Sequence, residues 1–574
     1  MKTERAYMLI LITLFLCTGV GSLFAQLEYP GSPTGDLRGM KAAEVMYVLP
    51  PLDPLYIESL ISTGRERTRK SLQFAIERPV QLSPRSNGGW TELDGTRIWR
   101  VHIISPGAYS MGLLFNEYRL SEGVRLFVYD PDRIHVKGAF TKENNKASGL
   151  FATGHMPGDE LIIELQVPDH LEDYGSLNIE SVSHAYLDAG SGTTGLNPTG
   201  TFSCPPGVFG CSQPCEIDIN CTEGDDWQLT KRSVVRIETL TQFCTGVLVN
   251  NSAYDETPYV LTAEHCISNR REAATTVFVF GYESPSCFGE NGSLEHSISG
   301  SQLIAVGDSI DFSLVRLSVT PPESFDAYFA GWDLSDFQST GTTTIHHPWG
   351  DVKKISMDDD IPSVPAQAGD VPYADLQDYY YYSYWWIRRW DTGSTEGGSS
   401  GSPLFNEGQR IIGTLTGGVA RCGDSIGYDT EKDRIIYNNA LNYNDYYTKI
   451  SYSWDYYQDQ ESSLKPWLDP VHSGTTTIGG LLPTGMPPDK KAPGERFRIF
   501  PVPVSGILYV TRIIPEQGGV RYTVYNLAGN PVISGILEDG SPGEVRVGPL
   551  DPGVYTIRLD DRVMTEVKKF VISR

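Results

Sequence analysis

Three short runs follow one another along the chain: TAEHC (Thr262 to Cys266), DFSLVRL (Asp311 to Leu317) and GSSGSP (Gly398 to Pro403). Each places a chemically capable residue at the edge of a strand-like segment. Tyr259 to Ala263 is apolar and ends just before His265. Phe312 to Leu317 is apolar and begins just after Asp311, while Leu404-Phe405 follows the Gly/Ser turn that carries Ser400. A serine hydroxyl is a poor nucleophile until a neighbouring base takes its proton. An imidazole does this near neutral pH, and a carboxylate fixes its tautomer and stabilises its cation. His265, Asp311 and Ser400 are therefore candidates for base, orienting group and nucleophile. Glycines at 398 and 401 allow a tight turn in which the N–H groups of Gly398 and Ser400 point together, an arrangement suited to holding an oxyanion. The order His, Asp, Ser restricts the fold, because unrelated scaffolds that assemble these side chains use different chain orders.

The 574 residues exceed one ordinary domain and suit three or four. Gly, Pro and Tyr are abundant and long amphipathic helical patterns are scarce, which predicts a mainly β protein with many turns. The net charge of −25 comes from no single block. It reads as a solvated acidic surface, argues against a nucleic-acid partner and is compatible with attracting basic peptides.

Residues 1–25 read as a signal peptide: a short charged start, an apolar stretch from Ala6 to Phe24, and a cleavage point at Ala25-Gln26. No basic stop-transfer pattern follows it, and no other stretch is long and apolar enough to span a bilayer, so no transmembrane segment is expected in the mature chain. Cys17 lies in the discarded part, and Leu16 before it is too large for a lipid-attachment site. Eight cysteines remain: Cys204, Cys211, Cys215, Cys221, Cys244, Cys266, Cys287 and Cys422. In an exported chain that even count predicts disulfides. The irregular spacing of Cys211, Cys215 and Cys221 does not suit zinc. No metal site or cofactor is expected, and calcium is left open.

The chain divides by composition. Residues 26–190 form a cysteine-free β domain, Pro-rich up to about residue 90 with a basic run from Arg65 to Lys70. Within it Trp99 to Ile103, Arg125 to Tyr129 and Glu160 to Glu164 read as strands of a sandwich. Ala189 to Thr201 is Gly/Ser/Thr-rich and reads as a linker. Residues 195–484 hold every remaining cysteine and can accommodate two six-stranded barrels. A linker over 485–496 leads to residues 497–574, where Ile507 to Val510, Tyr522 to Tyr525, Val554 to Leu559 and Lys569 to Ile572 predict a small sandwich.

The middle region resembles the chymotrypsin-like serine proteases and, more closely, bacterial lysyl endopeptidase. The resemblance runs from Cys215 to Leu481 on CTGVLVNN (Cys244 to Asn251), TAEHC, FAGWD (Phe329 to Asp333), IHHP (Ile345 to Pro348), GSSGSP and WLDP (Trp467 to Pro470). It implies a chymotrypsin-like double β-barrel and peptide hydrolysis after lysine through an acyl-enzyme, with protein or peptide substrates. It also implies pairing of Cys215 with Cys422, Cys221 with Cys287 and Cys244 with Cys266, which leaves Cys204 with Cys211. Trypsin-like enzymes place a specificity aspartate six residues before the nucleophile, where this chain has Ser394. The family segment that NDYYTKISYSW (Asn444 to Trp454) resembles puts Asp445 in that role, with Asp424 and Asp429 as rivals and a plain turn residue as the other reading. Thr416-Gly417-Gly418 would lie beside the substrate, and the family has a histidine where Thr416 stands. His346 and His347 read as structural. The aromatic run Tyr379 to Trp390 has no family counterpart and reads as packing rather than as an exposed surface. Two other functions share these motifs: the same triad selecting arginine or both basic residues, and a surface-binding protein on a degenerate protease fold.

The N-terminal domain resembles the propeptide of secreted lysyl endopeptidases, most clearly at WRVHIISPGAYSMGLLF (Trp99 to Phe115). No Lys or Arg stands between Lys146 and Lys231, so self-cleavage at a basic residue cannot separate this domain at the linker. Another protease removes it or it stays attached. The C-terminal domain resembles the sorting domain of the Bacteroidetes type IX secretion system at FPVPVSGILYV (Phe500 to Val510), VYNLAGNPV (Val524 to Val532), GVYTIRL (Gly553 to Leu559) and the terminal KKFVISR, with Val502 in place of the usual asparagine. That implies passage through the periplasm, the type IX machinery as a partner, and a secreted or surface-attached product. Ser399 stands where many animal relatives carry an aspartate that pairs with a newly cut N-terminus. A serine cannot make that ion pair, so the expected means of keeping the zymogen quiet is an N-terminal domain that covers the cleft.

Overall fold

The computed structural model describes residues 31–34, 46–65, 71–187, 209–335, 339–430, 434–483 and most of 497–572. The signal segment, Cys204, the whole Gly/Ser/Thr-rich linker and the 485–496 linker lie outside the described residues. No helix among those described is long and apolar enough to cross a membrane.

The N-terminal region is a two-sheet sandwich. One sheet centres on Thr96–Ile104, Glu160–Pro168 and Arg125–Tyr129; the other runs through Ser110–Phe115, Ile179–Ala185 and Ala75–Leu82. Alternate residues Trp99, Val101 and Ile103 are fully buried between the sheets with Phe115, Tyr118 and Phe140, as the period of two requires. The other face of Thr96–Ile104 is covered as well. There Arg100 Nε lies 2.8 Å from Glu164 Oε2, with Thr34 donating to the same carboxylate. The sandwich starts earlier than Trp99 to Ile103, the first strand read from the sequence. Ala75–Leu82 belongs to it, at a sheet edge beside Ile179–Ala185 alone, where Pro79 removes no interior ladder bond. The Pro-rich stretch also contains a helix, Pro54–Arg65.

The middle region is built from two sheets that curl into barrels. The first carries Val234–Glu238, Gln242–Val249, Tyr259–Thr262, Val277–Phe280 and Phe312–Leu317. Its sixth strand is broken at Gly300: Ser297–Ser299 pairs with Val277–Phe280, and Ser301–Gly307 pairs with Phe312–Leu317, which closes the sheet. The second has Thr342–His346, Lys354–Asp358, Pro403–Asn406, Ile411–Gly418, Tyr443–Lys449 and Tyr384–Arg389 as its long strands. The aromatic run is thus a short 3-10 turn, Tyr381–Ser383, followed by a strand paired along Tyr443–Lys449. Trp385, Ile387 and Trp390 pack with Leu404, Leu415 and Tyr447. The residues between Cys422 and Asn444 form a separate hairpin, Ser425–Asp429 with Arg434–Tyr437. The C-terminal region is again two sheets, of three and four strands, closed over Phe497, Leu508, Val524, Val545, Ile557 and Phe570.

Three cysteine pairs tie the middle region: Cys215–Cys422, Cys221–Cys287 and Cys244–Cys266, with Cα separations of 5.6, 4.4 and 6.2 Å. Cys211 is also disulfide-bonded, and the partner expected for it, Cys204, lies outside the described residues.

Candidate active site

His265, Asp311 and Ser400 come from both barrels and meet between them. Tyr259–Thr262 ends two residues before Glu264, and the turn that follows carries His265. Cys266 fastens that turn to Cys244 on the neighbouring strand. A loop of this size closed by a disulfide is stabilised by about 3 kcal/mol through the unfolded chain. Asp311 has a left-handed backbone (φ 54°) immediately before Phe312–Leu317. Aspartate tolerates that region better than most residues.

The carboxylate of Asp311 is wholly buried and accepts from the His265 backbone N–H at 3.1 Å. Its two oxygens lie 3.0 and 3.1 Å from His265 Nδ1. On the far side of the ring, Nε2 lies 2.7 Å from Ser400 Oγ. An ionised carboxylate can only accept. Nδ1 must therefore carry the proton, and Nε2 is left to accept from the serine hydroxyl.

The turn around Ser400 is held from several directions. Thr245 N–H donates to the Ser400 carbonyl at 2.8 Å, and Thr245 Oγ1 donates to the Gly398 carbonyl at 2.9 Å. Gly398 has φ 98°, and a Cβ there would lie 2.7 Å from the His347 carbonyl oxygen, so both conformation and space demand glycine. Among the described residues, neither the Gly398 nor the Ser400 N–H donates to a protein acceptor. Two amides left without a protein acceptor beside a nucleophile are available to hold an anion.

Ser399 is buried and its Oγ lies 2.8 Å from His346 Nδ1. His346 Nε2 in turn lies 3.2 Å from Ser356 Oγ and 3.6 Å from the buried Glu216 carboxylate. His347 Nδ1 donates to the Asp351 carbonyl at 3.0 Å. Burial pushes its imidazole well below the ordinary histidine range, and the nearby Lys353 ammonium adds to this. Both histidines are thus walls of the site, although they stand 53 and 52 residues before Ser399 in the sequence.

The specificity candidates separate by burial. Asp424 is exposed and Asp429 lies in the outer hairpin, whereas Asp445 is fully buried. Asp445 sits on Tyr443–Lys449 opposite Gly418. A Cβ on Gly418 would lie 2.1 Å from Asp445 Oδ1, so glycine is what lets the carboxylate face this strand. Its Oδ2 accepts from Trp390 Nε1 at 2.8 Å and from Thr395 Oγ1 at 2.5 Å, and Oδ1 accepts from Ala420 N–H at 3.4 Å. Ser394 Oγ, next to Thr395, donates to Asn442 Oδ1 at 2.8 Å. Gly417 lies on the same strand, as does Thr416, whose hydroxyl pairs with Thr448 Oγ1 at 3.0 Å. No group of His, Cys, Asp and Glu among the described residues has a metal-holding arrangement.

Four partners were not singled out from the sequence for their part in the site: Trp390 and Thr395 on Asp445, Thr245 beneath the Ser400 turn, and His346 on Ser399. Thr395 stands five residues before Ser400 and was the most accessible of them. Thr245 and His346 lie on strands, and Trp390 just beyond one, that reach the site only through tertiary pairing.

Three family models match successive parts of the chain: the lysyl endopeptidase N-terminal domain over residues 49–186, the lysyl endopeptidase C-terminal domain over 209–434, and the secretion system C-terminal sorting domain over 498–573. A lysyl endopeptidase of Pseudomonas aeruginosa is 26% identical over 362 residues, covering 58% of this chain and 71% of that protein. Among solved structures, a Glu endopeptidase in complex with MPD matches at a TM-score of 0.23 and 14% identity, over 38% of this chain and 85% of its own. Kallikrein-related peptidase 10 matches at 0.25 and 15% identity, over 39% and 92%. The assignment rests on the family models and on the two barrels with their shared site rather than on these low scores. The chain belongs to the lysyl endopeptidase family of serine endopeptidases, and its sorting domain marks it for export, to the medium or the cell surface.

Proposed function

We propose that this protein hydrolyses peptide bonds on the carboxyl side of lysine through an acyl-enzyme on Ser400. The observation that carries the reading is the continuous chain Asp311–His265–Ser400, with contacts of 3.0 and 2.7 Å. Ser400 Oγ attacks the scissile carbonyl carbon as His265 Nε2 takes its proton. Asp311 holds the ring and stabilises its cation. The carbonyl oxygen becomes an oxyanion received by the Gly398 and Ser400 N–H groups. One such donor contributes on the order of 10²- to 10³-fold in rate. His265 then protonates the leaving amine, and water releases the acyl group by the same steps in reverse.

Lysine selection is assigned to Asp445. Its carboxylate lies below the strand Thr416-Gly417-Gly418, along which the acyl side of a substrate would pair. Closing a buried carboxylate over an uncharged side chain would leave it without a cationic partner, which is the basis of strong rejection. The sorting domain makes the type IX secretion machinery the proposed partner in export. Acylation is tested by treating the secreted, processed protein with a fluorophosphonate and mapping the modified peptide. Modification at Ser400 and irreversible loss of activity support the mechanism; full activity with Ser400 labelled contradicts it.

A further inference from the structure

The carboxylate of Asp311 is fully buried and, among the described residues, accepts only from His265, through its backbone N–H and its ring. The group that fixes the imidazole is therefore not itself fixed by any other side chain. Its direction must come from its backbone. That backbone is left-handed, at φ 54°. A residue with a side chain keeps such a conformation where its surroundings impose it.

The second barrel supplies those surroundings through the two residues before Asp311. Tyr380 N–H donates to the Ser309 carbonyl at 3.2 Å, and Ser309 N–H donates to Tyr457 Oη at 3.1 Å. Thr448 Oγ1 donates to the Ile310 carbonyl at 2.7 Å. This third contact is the one closest to Asp311 along the chain, and both of its residues are buried. The Ile310 carbonyl belongs to the planar peptide unit that ends at the Asp311 Cα, so fixing the carbonyl fixes the plane from which Asp311 departs. No other donor among the described residues reaches it.

Thr448 is held in turn. Its Oγ1 lies 3.0 Å from Thr416 Oγ1, which is buried as well. A hydroxyl has one proton to donate and a carbonyl has none. Thr448 gives its proton to Ile310, so Thr416 must donate to Thr448. Donation by Thr416 polarises the second hydroxyl and strengthens its hold on the carbonyl. The local cause is a slip in register. Thr448 stands opposite Thr414, and the pairing of Ile411–Gly418 with Tyr443–Lys449 shifts between Leu415 and Gly417. Thr416 is the extra residue at that shift, a position that re-aims a side chain. Thr416 also belongs to the strand assigned to the acyl side of a substrate. Two hydroxyls thus join the substrate-binding wall of one barrel to the acidic member of the triad on the other. The threonine that replaces the family's histidine supplies the outer one.

We propose that Thr416 and Thr448 are positioning residues for the reaction: their paired hydroxyls hold the Ile310 carbonyl and so aim the Asp311 carboxylate at His265 Nδ1. This rests on the protease reading above. The pair acts through Asp311 and takes no proton from the substrate. A displacement of about 1 Å at catalytic groups costs about 10²-fold in rate, so loss of the pair slows turnover while leaving binding in place.

The test uses the secreted, processed protein as wild type, Thr448→Val, Thr448→Ser, Thr416→Val and Asp311→Asn, with each valine variant also combined with Asp311→Asn. Each is assayed for kcat and KM on a lysyl peptide, with circular dichroism confirming that it folds. Thr448→Val is expected to lower kcat at least about tenfold with KM within about twofold, and Thr448→Ser to restore it. Thr416→Val, which keeps the Ile310 contact, is expected to lower kcat about threefold. On the Asp311→Asn background each valine substitution is expected to cost less than about twofold, because the group it positions is gone. Equal losses on both backgrounds, a loss confined to KM, or no recovery in Thr448→Ser marks a merely structural role and overturns the inference. Undiminished kcat in Thr448→Val, beside a wild type that cuts lysyl peptides, overturns it and leaves the protease reading standing. A wild type that cuts no lysyl peptide fails that reading first. If Thr448→Val does not fold, Thr416→Val decides: a lowered kcat that depends on Asp311 supports the pair, and an unchanged kcat overturns it.

Discussion

Ser399 Oγ lies 2.8 Å from Nδ1 of His346, which itself approaches Glu216 at 3.6 Å, and all three side chains are buried. The residue beside the nucleophile is thus anchored by an imidazole already inside the chain. In the intact chain the Gly398–Ser400 turn is held by this contact without a newly cut terminus. Replacing His346 by Ala leaves Ser399 and Glu216 short of a partner, at a cost of about 1–3 kcal/mol. His346→Ala is expected to lower kcat by tenfold or more with little change in KM. Steady-state kinetics on a lysyl peptide check the split, and an effect confined to KM contradicts it.

Asp445 and Gly418 set a second expectation. Asn at 445 can still accept from Trp390 and Thr395, so Asp445→Asn should fold while losing the charge. Its kcat/KM for lysyl peptides is expected to fall about 10²-fold or more, with uncharged residues little affected. Gly418→Ala should act in the same direction, because its Cβ would collide with Asp445 Oδ1. Profiling with a peptide library that varies the residue before the cut measures both. Retained lysine preference in Asp445→Asn removes Asp445 from the pocket.

Gly398→Ala probes the oxyanion site without touching a side chain. The added Cβ would lie 2.7 Å from the His347 carbonyl and 2.9 Å from the Gly350 nitrogen, on a backbone at φ 98°. The turn must shift and misalign its N–H groups. A fall of about 10²-fold or more in kcat is expected, with His265 and Ser400 intact. Unchanged kcat means that the Gly398 amide does not serve the reaction.

Asp358 gives a pH test of stability. It is buried on Lys354–Asp358, and burial followed by the nearby Asp391 carboxylate pushes its carboxyl up to about 7. A carboxyl that is raised on folding binds more protons in the folded chain than in the unfolded one between about pH 4 and 7. Stability therefore falls as pH rises through that window, and the penalty is complete above it. Asp358→Asn can still accept from the Asp360 N–H. It is expected to raise Tm by a few degrees at pH 8 and to match wild type at pH 4. Thermal melts at both values check this, and equal gains at both contradict it.

What could be read from the sequence follows how locally each feature is encoded. The strands around His265, Asp311 and Ser400 carry apolar runs and turn residues within ten positions, and their boundaries match the structure to within a residue or two. The core face of Trp99 to Ile103 follows from alternation alone. Asp445 could be placed only through a resembling segment, because the hairpin Ser425–Asp429 and Arg434–Tyr437 breaks the local spacing. Its contact with Trp390 spans 55 residues and is fixed by pairing of Tyr384–Arg389 with Tyr443–Lys449. An unbroken aromatic run has no period from which that pairing could be read. The two-residue strand Leu72–Gln73 is too short for any pattern, and its partners Phe243 and Gln242 lie 171 and 169 residues away.

The central claim is cleavage after lysine by Ser400. Its most direct test is to digest one denatured protein with the secreted, processed enzyme and with the same preparation of Ser400→Ala, and to map every cut by mass spectrometry. Cuts that fall after lysine and vanish in Ser400→Ala are the expected result. Undiminished cutting by Ser400→Ala, or wild-type cuts indifferent to lysine, would contradict it.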